Sequence, residues 1–236
     1  MSFDTEEALE EVFWLTMAGQ DYVRPDALVP HEIDAETARA YAAFVGSVLA
    51  AQPGNTRYLA KNNNNCLRMS SLRRALPKAY LIVPFRDPVQ HALSLLRQHR
   101  HFEQVQQSDQ FSLSYMRWLG HFEFGLDHRP FVFGDYPDGR RDEPAYWLDL
   151  WIKSYQGILD RAPAGTVFWD FDAFCANPDV LVASLLDHIQ LSARIENGVL
   201  DAIKPPHRSN PGFELPEGLQ ASAEKLHAAL VKCAVR

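Results

Sequence analysis

Along most of this chain apolar residues recur at three- and four-residue intervals, the spacing of one helix face, and only three short stretches read as strands. Residues 5–17 carry a helical pattern that opens acidic at Thr5-Glu6-Glu7, where negative charge suits a helix N-terminus. An Ala-rich helix is predicted over 34–51, and a short strand over Arg57–Ala60 after the loop QPGNT. The polar run KNNNN leads to a helix near 65–75 that Pro77 ends. A strand follows at 79–85, then helices at 88–103 and 109–120, a loop over 124–143, and a long helix at 144–161. The last strand, TVFWDF, spans 166–171, with helices near 178–190 and 193–203, a Pro-rich loop, and a closing helix. Strands separated by helices, with no internal repeat or linker, predict an α/β protein with a short parallel sheet.

The stretch YLIVPFRDPVQHALSLLRQHRHF, residues 80–102, carries the most information. Its apolar run reads as a strand buried on both faces, although Pro84 cannot donate a ladder hydrogen bond. Asp87 suits an N-cap and Pro88 the first helical position, so the helix starts directly after Arg86. Val89, Ala92, Leu93 and Leu96 form its core stripe, while Gln90, Ser94, Arg97 and His101 line another side. Arg86 thus stands at the carboxyl end of a strand, where open α/β sheets bind ligands, with Ser94 eight residues later. A guanidinium fork and a hydroxyl there suit a phosphate. The residues alone equally allow Arg86 to pair with a nearby carboxylate and Ser94 to be a solvated helix residue.

Composition narrows the classes. The 236-residue chain is 47% hydrophobic and 22% charged, in the range of a globular protein with one substantial core or at most two small domains. Its formal charge of −7 argues against a broad nucleic-acid surface. Cys66, Cys175 and Cys233 are widely spaced and odd in number, which fits a reducing compartment rather than a disulfide framework. No apolar run approaches the roughly 18 residues of a membrane span, and the acidic start MSFDTEEALEE does not read as a signal peptide. A cytoplasmic location is expected.

The string LRRALPKAYLIVPFRDPVQHALSLLRQH resembles the 3'-phosphate-binding element of sulfotransferases that use 3'-phosphoadenosine-5'-phosphosulfate (PAPS), the bacterial branch in particular. The resemblance implies that Arg86 and Ser94 hold the 3'-phosphate. VFWDFDAFCANPDVLVASLLDHI resembles the family's later strand, turn and helix, with Phe171 and Asp172 where Tyr and Glu are usual. PPHRSNPGF resembles a late loop that brings a basic residue to the same phosphate, which implies Arg208 as a third ligand. The likeness covers roughly residues 55–215 and implies a P-loop-NTPase-like sulfotransferase fold, a short parallel sheet flanked by many helices in a single domain over 1–236. The implied reaction is sulfuryl transfer from PAPS to a hydroxyl or amine, with no metal. The alternative is a non-catalytic relative that binds a phosphonucleotide or a partner chain.

One departure stands out. The family holds the 5'-phosphosulfate on a Gly-rich loop of the form Pro-x-Ser-Gly-Thr-Thr near its N-terminus, and the first glycine here, Gly19 in TMAGQDY, has no such setting. The expectation is a domain without its first strand, which self-associates or binds a separate N-terminal segment. The acceptor side is less regular. Lys61 fits the strand-end lysine of cytosolic relatives, but Asn63 stands where those relatives place a His base, and an amide cannot take a proton. The four Asn also suit a hydrogen-bonded turn, with Lys61 a surface residue. His121, Glu123 and His128 in GHFEFGLDHRPF are the remaining candidates for a base, against buried structural roles for each. As zinc ligands they lack a fourth partner at a sensible spacing. His99 and His101 point to different helix faces. Trp147 with Trp151, and Leu226, Ala229, Leu230 and Cys233, read as packing faces.

Overall fold

The computed structural model describes residues 10–51, 53–54, 56–193, 195–196, 198–206, 208 and 214–235. They form a mixed α/β protein with a short parallel sheet. The order is α1 (Glu10–Tyr22), α2 (Ala35–Ala50), α3 (Met69–Ala75), β1 (Ile82–Phe85), α4 (Pro88–Ser108), α5 (Gln110–Trp118), α6 (Pro144–Arg161), β2 (Val167–Asp170), α7 (Phe171–Ala176), α8 (Pro178–His188) and α9 (Glu217–Cys233). Two compact units emerge. The first holds the described residues up to Ala79, with Arg97–Pro137 and Asp160–Pro163; the second holds Tyr80–Leu96, Asp138–Leu159 and the described residues from Ala164 on.

In the first unit the aromatic side of α1 packs on α2. Trp14 is fully buried, with its ring 4.5 Å from Tyr41 and 5.0 Å from Phe13. Asp34 caps α2 by accepting from Thr37 N–H at 2.7 Å, the role expected of an acidic residue just before a helix. The predicted strand at Arg57–Ala60 does not form: 56–62 carries no helix or strand, Leu59 is 92% exposed, and a 3-10 turn at Asn63–Leu67 follows. With no neighbouring strand among the described residues to complete a ladder, a four-residue segment stays a connector.

In the second unit β1 and β2 pair in parallel, with Ile82 opposite Val167 and Phe85 opposite Asp170. Val167 N–H donates to the Leu81 carbonyl at 2.8 Å. Peptide groups alternate sides along a strand, so Leu81, Val83 and Phe85 address β2, while Ile82 and Pro84 address the other edge. Pro84 is therefore placed where its missing N–H breaks no β1–β2 bond, and its carbonyl accepts from Tyr155 Oη at 2.7 Å. The far edge of β2 is met by the chain end: Val235 N–H donates to the Phe168 carbonyl at 3.1 Å. The expectation of a strand buried on both faces needs correction, because Tyr80 and Ile82 are each 38% exposed and only Phe85 is buried.

The second unit's core lies where α4, α6 and α9 supply Ala92, Leu93, Leu96, Trp147, Trp151, Leu226 and Leu230, all buried as their helical spacing predicts. Cys233 departs from its predicted packing face and is exposed, with Ala223 buried one turn before Leu226 instead. The helix predicted over 193–203 is reduced, among the described residues, to a 3-10 turn at Leu200–Ala202.

Candidate functional site

Because β1 and β2 end level, Arg86 and Phe171 emerge side by side at the carboxyl end of the sheet. Asp87 Oδ1 accepts from Gln90 N–H at 2.9 Å and caps α4, as the Asp-Pro pair predicts. Asp172 Oδ2 accepts from Asp87 N–H at 2.6 Å, tying the two strand ends together. Asp170 Oδ1 accepts from Ala173 N–H at 3.0 Å and caps α7. Three carboxylates thus surround the strand ends in sequence, and each is engaged with a backbone N–H. The Arg86 guanidinium lies over the Phe171 ring, 5.9 Å from its centroid. Its Nε is buried with no hydrogen-bond partner among the described residues, and no carboxylate among them pairs with it.

On α4, Ser94 is half-buried. His91, one turn before it, was not singled out by the sequence. Its Nδ1 accepts from the indole N–H of Trp151 at 3.2 Å. Burial, then the charge of Arg86, pushes its pKa down to about 4. Arg208 is exposed, and residues 207 and 209–213, which flank it, lie outside the described residues.

The other predicted residues belong to the first unit. The four Asn form a hydrogen-bonded turn. Asn62 Oδ1 accepts from Asn64 N–H at 3.0 Å and caps the 3-10 turn, and its amide donates to Glu11 Oε2 at 2.6 Å. Asn65 donates to Glu10 Oε1 at 3.0 Å, and Asn64 to the Gly120 carbonyl at 3.2 Å. Lys61 precedes this turn and is exposed. Asn63 has a different partner: its amide donates to Glu123 Oε1 at 2.9 Å. Glu123 Oε2 lies 3.6 Å from His121 Nδ1. Burial alone would raise the Glu123 pKa, but His121 and the Asn63 amide outweigh it and hold the carboxyl below its ordinary value. Asn63, Glu123 and His121 therefore form one chain of contacts, in which the carboxylate can orient the imidazole. His121 keeps 28% of its side chain exposed. His128 is 3% exposed, with Nδ1 2.6 Å from the Glu123 carbonyl and its ring 5.0 Å from that of His99. That setting braces the loop carrying Glu123.

A buried charged cluster behind the Asn turn escaped the sequence reading. Arg68 Nη2 donates to both carboxylate oxygens of Glu11 at 2.9 Å, and its guanidinium lies 4.6 Å from the Trp14 ring and 4.8 Å from the Tyr22 ring. The Tyr22 hydroxyl also donates to Glu11. Glu10 accepts from Trp14 Nε1 at 3.1 Å and from Tyr58 Oη at 2.8 Å. The signal available was the run KNNNNCLR itself, since five amide and guanidinium donors in eight residues imply acceptors elsewhere in the chain.

Among the described residues no group of three or more His, Cys, Asp or Glu could hold a metal ion, and no helix is long and apolar enough to cross a membrane. No curated protein and no solved structure matches the chain. A sequence profile described as the sulfotransferase family matches residues 6–135, more than half of the chain. The matched span contains Lys61, Arg86, Ser94, His121, Glu123 and His128, while Phe171, Asp172 and Arg208 lie beyond it. With the strand–Arg–helix unit inside that span, the chain belongs to the sulfotransferase family.

Proposed function

We propose that this protein transfers a sulfuryl group from PAPS to a hydroxyl or amine acceptor, with Arg86 and Ser94 as ligands of the 3'-phosphate and Arg208 as a third. The observation that carries the reading is the state of Arg86. It stands at the carboxyl end of β1 with a buried, unpartnered Nε, while Asp87, Asp170 and Asp172 accept from backbone N–H groups. A cation held this way favours an anionic ligand, and its planar fork suits a phosphate.

In the transfer the acceptor loses its O–H or N–H proton to a base and its heteroatom bonds to sulfur. The bond from sulfur to the 5'-phosphate oxygen breaks, and the electron pair leaves on the product, 3'-phosphoadenosine-5'-phosphate (PAP). Among the acceptor-side candidates of the first unit, His121 is the base we assign. A proton on Nδ1 facing Glu123 leaves the lone pair on Nε2, and Asn63 fixes the Glu123 carboxylate from its other oxygen. The amide at position 63 then positions the carboxylate behind the base. Lys61 is assigned to the sulfuryl group, and His128 to support of the Glu123 loop.

Calorimetric titration with PAP and with adenosine 5'-phosphosulfate, which lacks the 3'-phosphate, tests the nucleotide assignment. Loss of a charge-assisted hydrogen-bonding group costs about 1.5–3 kcal/mol, so Arg86→Ala should weaken PAP binding about ten-fold to a hundred-fold. Adenosine 5'-phosphosulfate should be nearly indifferent to the change. Equal losses for the two nucleotides would remove Arg86 from the 3'-phosphate.

A further inference from the structure

We propose that His91 is a further ligand of the same anion, a neutral imidazole whose Nε2–H is committed to donation by Trp151. The inference rests on the nucleotide reading above and adds a residue to it.

The tautomer follows from one hydrogen bond. An indole N–H can only donate. Trp151 Nε1 lies 3.2 Å from His91 Nδ1, so Nδ1 must carry the lone pair and the ring proton must sit on Nε2. Trp151 is 1% exposed, and turning the ring over would leave its N–H unpaired in the core. The ring is also confined by Tyr155, whose centroid is 6.1 Å away and whose hydroxyl is anchored on the Pro84 carbonyl. Burial and the positive charge of Arg86 together keep the imidazole neutral.

Position then says what the N–H is for. His91 and Ser94 are three residues apart on α4 and lie on one side of it. Arg86 is the charge that acts on His91. His91 is half-buried rather than closed into the core. Among the described residues, Nε2 has no protein partner. Arg86, the His91 Nε2–H and the Ser94 hydroxyl therefore make a set of donors, and no carboxylate among the described residues pairs with any of them. Such a set recognises an oxyanion. A guanidinium supplies the charge, and the neutral N–H adds direction without a second positive charge to desolvate.

The test uses the whole chain with His91→Phe, which keeps a ring and removes the donor, and His91→Gln, which restores a donor near the Nε2 position. His91→Phe should weaken PAP about ten-fold or more and leave adenosine 5'-phosphosulfate unchanged, while His91→Gln should recover most of the loss. In wild-type protein carrying ¹⁵N-labelled histidine, PAP should shift the His91 Nε2–H resonance and adenosine 5'-phosphosulfate should not. This readout decides the matter if His91→Phe fails to fold. An unmoved resonance, with PAP still bound in an Arg86-dependent manner, overturns the role of His91 alone. Failure of the wild-type protein to bind PAP overturns the nucleotide reading and this inference together.

Discussion

Replacing Arg68 with Met tests whether the Asn turn stands on a buried ion pair. Arg68 is 1% exposed and Glu11 2% exposed, so neither charge is solvated. Glu11 accepts from Arg68 through both oxygens, from Asn62 and from Tyr22. Met fills much of the arginine stem's volume but leaves the carboxylate with two neutral donors and no countercharge. Breaking a buried pair from one side costs about 3–5 kcal/mol, roughly a fifth or more of the stability of a typical domain. Removing both charges is a different perturbation. Arg68 Nη1 is buried without a hydrogen-bond partner among the described residues and Nε reaches the Asn64 carbonyl only at 3.4 Å, so the pair is not fully compensated as it stands. Glu11→Gln with Arg68→Met should therefore recover at least about 2 kcal/mol of the single-variant loss. Urea unfolding at neutral pH reads both values from the midpoint at constant m. A loss below about 1 kcal/mol for Arg68→Met, or a double variant no better than the single, would show that Glu11 does not depend on Arg68 for its charge.

Acid should destabilise the protein through its neutral histidines. His31 is stacked on Tyr22 at 4.7 Å, and burial, then the Arg68 charge, lowers its pKa from 6.5 to about 4. The unfolded chain therefore binds a proton that the folded chain refuses, and stability falls as pH drops from about 6.5 to about 4, by about 3 kcal/mol for His31. A His31→Phe chain should lose less over this window in parallel urea melts, and an unchanged pH slope would contradict the argument. Asn63→Ala should move the Glu123 carboxyl titration upward, read by NMR of its side-chain carbon, because one of the groups holding it low is gone. No movement would separate Asn63 from the His121–Glu123 pair.

What was legible in the sequence was local. Asp87 and Pro88 announce the start of α4 because capping needs only neighbours. The stripes on α4 and α6 were legible because a helix face repeats at fixed spacing. The strand expected at Arg57–Ala60 failed because a strand is a property of two segments, and composition at one of them does not provide the other. Arg68 and Glu11 are 57 residues apart, and the donor-rich run that ends at Arg68 does not say where its acceptors lie. His91 was hidden for the same reason: its tautomer depends on Trp151, 60 residues on, which the sequence presents only as a core tryptophan.

The two arginines show how a structural cation and a functional one are told apart. The chain has 30 acidic against 23 basic residues, so an arginine beside aspartates has every statistical reason to be paired. Arg68 is paired, with a carboxylate on its fork and aromatic rings on its faces, and removing it should unsettle the fold. Arg86 has three aspartates within a few residues of the two strand ends, and each accepts from a backbone N–H. Asp172 could offer its charge to Arg86 but instead holds the Asp87 N–H at 2.6 Å, a short bond that fixes the turn presenting Arg86. A buried donor without a partner has a cost, of the order of 1–3 kcal/mol, that packing alone does not repay. At Arg86 the anion we propose would recover that cost as binding energy. What separates them is the countercharge: Arg68 has a carboxylate on its fork and belongs to stability, while Arg86 has none among the described residues and is the one we propose for ligand binding.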